Sequence, residues 1–178
     1  MVSLVASDPF GGALPWREAG VSAEAVAPGP VTWIAPFDGQ EAAVGTALGA
    51  QLPEAGRAVA VADGRILWFG RGQWLVIGAP LEVDLEGLAA VADQSDGWVA
   101  CRVGGASHVE LLARLVPVDL RVSAFPVGAV ARTIVKHTSG LIARVAEDAV
   151  EVWVMRSFAR TLAGDLREAA DGLSLRRG

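Results

Sequence analysis

One order of elements occurs twice in this chain, and that repetition constrains its fold more than any other feature. VTWIA (residues 31–35) reads as a strand. Gly39 to Leu52 reads as a helix with Ala43, Ala47 and Ala50 on one side, weakened by Gly45 and Gly49 and ended by Pro53. AVAVADGRILWFGRGQWLVIG (58–78) carries turn signals at Asp63-Gly64 and at Gly70-Arg71-Gly72, which divide it into three antiparallel strands. Asp84 is placed to cap a short helix reaching Ala92. The order then returns: a strand over Trp98–Val103, a helix from Ser107 to Val116 closed by Pro117, and strands over Ala131–His137, Leu141–Val145 and Val150–Met155. The turns between those strands are expected at Ser139-Gly140 and Glu147-Asp148, and Ser157 is placed to cap a last helix reaching Ala170. Phe158, Leu162, Leu166 and Ala169 share one face of it. Two pseudo-repeats, 31–92 and 96–172, are therefore predicted within a single α+β domain over residues 31–178. Each is strand, helix, three-stranded meander, helix. One such unit buries a single sheet face, so two are expected to share a core.

Residues 1–30 (including DPFGGALPWREAG and VAPGP) are punctuated by Gly and Pro without a period, and predict an extended arm. Phe10 and Trp16 on it are expected to anchor on a partner or across the second repeat. The chain is strongly apolar, with 52% hydrophobic residues and a formal net charge of −5. Its longest charge-free apolar stretch, residues 25–37, is too short to span a membrane and holds three prolines (Pro28, Pro30 and Pro36). The excess of apolar residues predicts a large core or a protein–protein interface. The negative charge argues against nucleic acid and anionic membrane as partners. The single cysteine, Cys101, excludes an intrachain disulfide and fits a reducing, cytoplasmic setting, and residues 1–20 lack the pattern of a secretory signal.

The stretch GWVACRVGGASHVELLARL (97–115) reads strand, glycine pair, helix, the opening of many phosphate sites. Gly104-Gly105 lacks the third glycine of a dinucleotide fingerprint and the lysine of a phosphate loop. Ser107 and Glu110 have the spacing of a capping box, which would occupy the helix end that a phosphate needs. A structural corner is the reading these residues favour. Cys101 alternates with Val99 and Val103, which places its thiol on an apolar face. His108 and His137 are the only histidines, and no Cys, His or carboxylate cluster has metal-ligand spacing. No serine sits in a nucleophile elbow. The residues themselves offer no catalytic, cofactor or metal site.

Three stretches resemble the gamma subunit family of heterotetrameric sarcosine oxidase. In DQSDGWVACRVGGASHVELLARLVPVDL (93–120) the likeness lies in Ser95-Asp96-Gly97, Gly104, Leu112-Ala113-Arg114 and Asp119-Leu120. In EVWVMRSFARTLAGDLREAA (151–170) it lies in Arg156-Ser157-Phe158-Ala159. ILWFGRGQWLVIGAP (66–80) is similar to the family's first hairpin. The resemblance implies the folate-binding-domain fold shared with the glycine-cleavage aminomethyltransferase, a duplicated α+β unit. It also implies a cofactor-free chain that joins alpha, beta and delta subunits, which hold flavin, NAD, folate and zinc.

The aminomethyltransferases of this fold carry an aspartate pair in the hairpin that corresponds to SGLIARV (139–145). Here those positions are Ala143 and Arg144, neither of which can handle a proton at a folate nitrogen. The resemblance therefore implies a non-catalytic subunit, in a complex that oxidatively demethylates sarcosine to glycine. The alternatives are a stand-alone folate-binding or one-carbon-transfer protein, or a gamma-like subunit of an oxidase for a related methylamine. Arg144 puts a positive charge where a proton acceptor is needed, or else simply faces solvent from its strand.

Overall fold

The structure is a computed structural model that describes residues 7–78 and 80–176. Its elements are β1 (Trp16–Glu18), β2 (Val21–Val26), β3 (Val31–Pro36), α1 (Glu41–Ala47), β4 (Ala58–Val61), β5 (Gly64–Gly70), β6 (Gln73–Ile77) and β7 (Ala89–Asp93). They are followed by β8 (Trp98–Gly104), α2 (His108–Leu112), β9 (Val130–Val135), β10 (Thr138–Ala146), β11 (Ala149–Met155) and α3 (Ala159–Ser174). The strands form two antiparallel sheets, β1-β2-β8-β11-β10-β9 and β4-β5-β6-β3-β7.

Period-two alternation sends the side chains of the larger sheet two ways. Val99, Cys101, Val103, Ile142, Val150 and Val152 join Leu111, Leu112, Leu162 and Leu166 from α2 and α3 in one core. Trp98, Ala100, Leu141, Ala143 and Trp153 meet Val31, Leu67, Phe69 and Leu75 of the smaller sheet in a second. The smaller sheet's far face, with Ile34, Ile66, Trp74 and Val76, packs on Val44 of α1 and on Leu85. The shared core between the sheets is thus central, and helices lie on both outer faces.

Two runs of four strands share one order. β4-β5-β6-β3 and β9-β10-β11-β8 are the same arrangement, in which the strand before the helix lies beside the last strand of the meander. The larger sheet then gains β2 with β1 beyond it, and the smaller gains β7: β2 directly precedes β3 but pairs with β8, and β7 directly precedes β8 but pairs with β3. This exchange corrects two expectations. Residues 84–92 contain no helix: Asp84 accepts from Glu86 N–H in a turn, and β7 follows. The extended arm also contains a paired hairpin. β1 and β2 turn at Ala19-Gly20, both at positive φ, and Val21 and Ala23 enter the core. Phe10 and Leu14 are buried against the second repeat's core, and Trp16 packs at its edge; the arm's first six residues lie outside the described ones.

Smaller differences have local causes. α1 is shorter than Gly39–Leu52, because the chain leaves the helix at Gly49 with φ +72. α2 covers only His108–Leu112, and Ser107 at its N-cap makes no side-chain cap hydrogen bond. The turn after β9 lies at Lys136-His137, with Lys136 at φ 53, and Ser139-Gly140 belong to β10. Ser157 sits in a 3-10 turn ahead of α3, and Phe158 is exposed, whereas Leu162, Leu166 and Ala169 are buried as the periodicity predicts.

Candidate functional site

The glycine corner is built by close approach of backbones. Gly105 has φ +101, and a Cβ there would stand 2.5 Å from Gly20 O in the β1–β2 turn. Three amides of the corner donate to carbonyls inside the protein. Gly105 N–H donates to Asp148 O, Ser107 N–H to Gly20 O and His108 N–H to Gly105 O. A cleft of about 600 Å³ opens above, between Arg17, Glu24, Arg102 and Asp148. The corner joins three turns, and these three donors are directed at carbonyls rather than at the cleft.

β10 holds the residues that replace the expected carboxylate pair. Ala143 points between the sheets and is buried. Arg144 points to the opposite face and is 1% exposed, which overturns the alternative that it simply faces solvent. It reaches a cage of backbone acceptors. Nε donates to Phe125 O at 2.6 Å, Nη1 to Glu147 O at 2.6 Å and Nη2 to Leu120 O. Nη1 also lies 3.1 Å from His108 Nε2. Since His108 Nδ1 faces Gly105 O at 2.7 Å, that nitrogen carries the ring proton, and Nε2 accepts from Arg144. Burial lowers the guanidinium's pKa, and its named partners include no carboxylate. Arg144 therefore ties the loop between α2 and β9, the β10–β11 turn and the first turn of α2 to one strand.

One carboxylate lies beside Ala143 after all. Glu151 of β11 is directly opposite Ala143 and, on the other side, opposite Arg102 of β8. Its side chain is 1% exposed between the sheets. It is ion-paired to Arg65 of β5 and, at 3.1 Å, to Arg102, and it accepts from Trp153 Nε1 at 3.2 Å. Arg102 continues outward to Glu24 at 3.5 Å. Glu151 thus crosslinks the two sheets, with its oxygens occupied by three donors. The sequence reading passed over it; the available signal was a lone carboxylate inside the apolar run AVEVWVM (149–155).

The remaining candidates stay apart. Cys101 is fully buried among valines, and burial pushes its thiol up to about 12. His137 lies in the β9–β10 turn, remote in the chain fold from the Arg144 cage that holds His108. Among the described residues no three His, Cys, Asp or Glu side chains are grouped to hold a metal, and no helix is long and apolar enough to cross a membrane.

Comparison with known proteins adds the family. A solved structure of heterotetrameric sarcosine oxidase from Corynebacterium sp. U-96, in complex with pyrrole 2-carboxylate, contains a chain that superposes with a TM-score of 0.83. The match covers 95% of this chain and 96% of that one at 22% identity, so it shows the fold. No curated protein matches the sequence. The family model described as "Sarcosine oxidase, gamma subunit family" matches residues 35–171, well over half of the sequence, and so the chain belongs to the sarcosine oxidase gamma subunit family.

Proposed function

We propose that this gamma subunit is a structural, non-catalytic component of a cytoplasmic complex that oxidatively demethylates sarcosine to glycine. Flavin, NAD, folate and zinc then belong to its partner alpha, beta and delta subunits. The observation that carries this reading is the state of β10. The position where a folate-handling carboxylate is expected holds Ala143, its neighbour Arg144 is engaged by carbonyls and by His108, and the one nearby carboxylate, Glu151, is clamped by Arg65 and Arg102. A general base needs a lone pair within reach of substrate, and Glu151 is sealed between the sheets.

The test is calorimetry with tetrahydrofolate together with a methylene-transfer assay on the isolated chain. The expected result is neither heat of specific binding nor transfer. Micromolar binding, or turnover by this chain alone, would make it a one-carbon-transfer protein instead.

A further inference from the structure

The strand exchange leaves the two sheets unequal at one edge. β2, added to the larger sheet, carries β1 on its outer side. β7 holds the equivalent place beside β3, and among the described residues no strand pairs with its outer side. The direction of its backbone groups follows from the ladder. Gln94 N–H donates to Val31 O, and Phe37 N–H to Leu88 O. Bonded and non-bonded pairs alternate in an antiparallel ladder. Val91 opposite Ile34 and Asp93 opposite Thr32 are therefore the non-bonded pairs, and both residues turn N–H and C=O away from β3. The strand AAVAD contains neither lysine nor proline, the residues that commonly shield an open edge.

Beside this edge is a cleft of about 660 Å³, with Leu81, Val83 and Val91 on its walls and the carboxylates of Asp84, Glu86 and Asp93 around it. Val83 and Val91 are exposed. The whole stretch from Gly72 to Cys101 holds Glu82, Asp84, Glu86, Asp93 and Asp96 but no Lys or Arg. A second copy of the same edge would bring like charges together, which disfavours self-pairing. An extended segment with the opposite charge fits.

We propose that β7 is a strand-addition site for an extended segment of a partner subunit, one whose small apolar side chains alternate with lysine or arginine. The segment pairs with Val91 and Asp93 at the place that β1 holds beside β2 in the other sheet, with its lysine or arginine side chains turned to the acidic cleft and its small apolar ones to the opposite face, beside Ala90 and Ala92. The proposal rests on the subunit role given above.

The test uses the chain assembled with its partner subunits. Val91→Pro removes an outward N–H and leaves the β3 ladder intact, while the double variant Asp84→Lys/Glu86→Lys reverses the cleft's charge. Amide hydrogen exchange at Val91 and Asp93 is expected to slow by at least about tenfold on assembly. Each variant is expected to weaken assembly by about tenfold or more, and the lysine variant to lower the isolated chain's thermal midpoint only by the few degrees that losing the exposed Asp84 turn bond costs. A wild-type complex with both amides unprotected, assembled equally well by both variants, overturns the site while leaving the subunit role standing. Protection of the same amides in a dimer of the isolated chain makes a second copy the occupant and overturns the proposal. A chain that joins no complex overturns both readings.

Discussion

Arg144→Met asks what a buried cation without a carboxylate partner contributes. The substitution keeps the length of the side chain and removes every donor. Three carbonyls, on Leu120, Phe125 and Glu147, lose their donor, and His108 Nε2 loses its own. Each buried acceptor left unpaired costs about 1–3 kcal/mol, so the carbonyls alone represent roughly 3–9 kcal/mol. Against this stands relief of the guanidinium's desolvation, several kcal/mol in the other direction. The balance falls on destabilisation, because the acceptors are backbone groups of three segments held together by this one side chain. The expected loss is about 3–5 kcal/mol, as for other buried charged networks that lose one member. Arg144→Lys keeps the charge but not the planar fork that spans the three carbonyls, and is expected to lose about half as much. Urea titration of the purified chain measures both. The thermal midpoint of the Met variant should fall by roughly 10 °C for a chain of this size. A Met variant within about 1 kcal/mol of wild type, or one more stable than it, would refute the claim that the cage organises the loop.

Four further outcomes follow from other parts of the molecule. Cys101 should resist alkylation at pH 8 in the folded chain, since its thiol is raised to about 12, and should react once the chain is unfolded; rapid labelling of native protein counts against its burial. Gly105→Ala should cost at least about 1–3 kcal/mol from φ alone, with the clash against Gly20 O added, as read by denaturant midpoint. Glu151→Gln should cost about 1.5–3 kcal/mol through weakened bonds to two arginines, with little salt dependence because the carboxylate is buried. Arg121 holds the Asp119 carboxyl down to about 2, below its unfolded value. Its contribution is therefore present above the unfolded pKa and is lost as pH falls from about 4 toward 2; Asp119→Asn should flatten that part of the stability profile, and an unchanged acid limb would count against the pair.

Much of the framework was legible because its signals are local. Gly70-Arg71-Gly72 and Glu147-Asp148 carry turn chemistry that acts within a few residues, and the apolar period of α3 marks its buried face; the turn expected at Asp63-Gly64 lies one residue earlier, at Ala62-Asp63, with Gly64 opening β5. Gly140 shows the limit: it resembles a turn glycine, yet it lies within β10 because a Cβ there would meet Trp153 O at 2.7 Å. A glycine needed for close approach and one needed for a turn look alike in a sequence. β7 was hidden by strong helix formers in DLEGLAAVAD (84–93), since the decisive fact is its pairing with β3, a strand far earlier in the chain. That residues 143 and 144 carry no carboxylate was readable directly. The cage around Arg144 was not, because Leu120, Phe125 and Glu147 converge on it only through tertiary folding.

The most direct test of the account is purification through a tag on this chain after expression with its neighbouring partner subunits, followed by a visible spectrum and a sarcosine oxidation assay. The account predicts a complex that is yellow, consumes sarcosine and releases glycine, and from which this chain separates colourless and inactive. A chain that stays alone beside folded partners, or one that leaves the complex with stoichiometric flavin bound to it, would contradict the structural role argued from Ala143, Arg144 and Glu151.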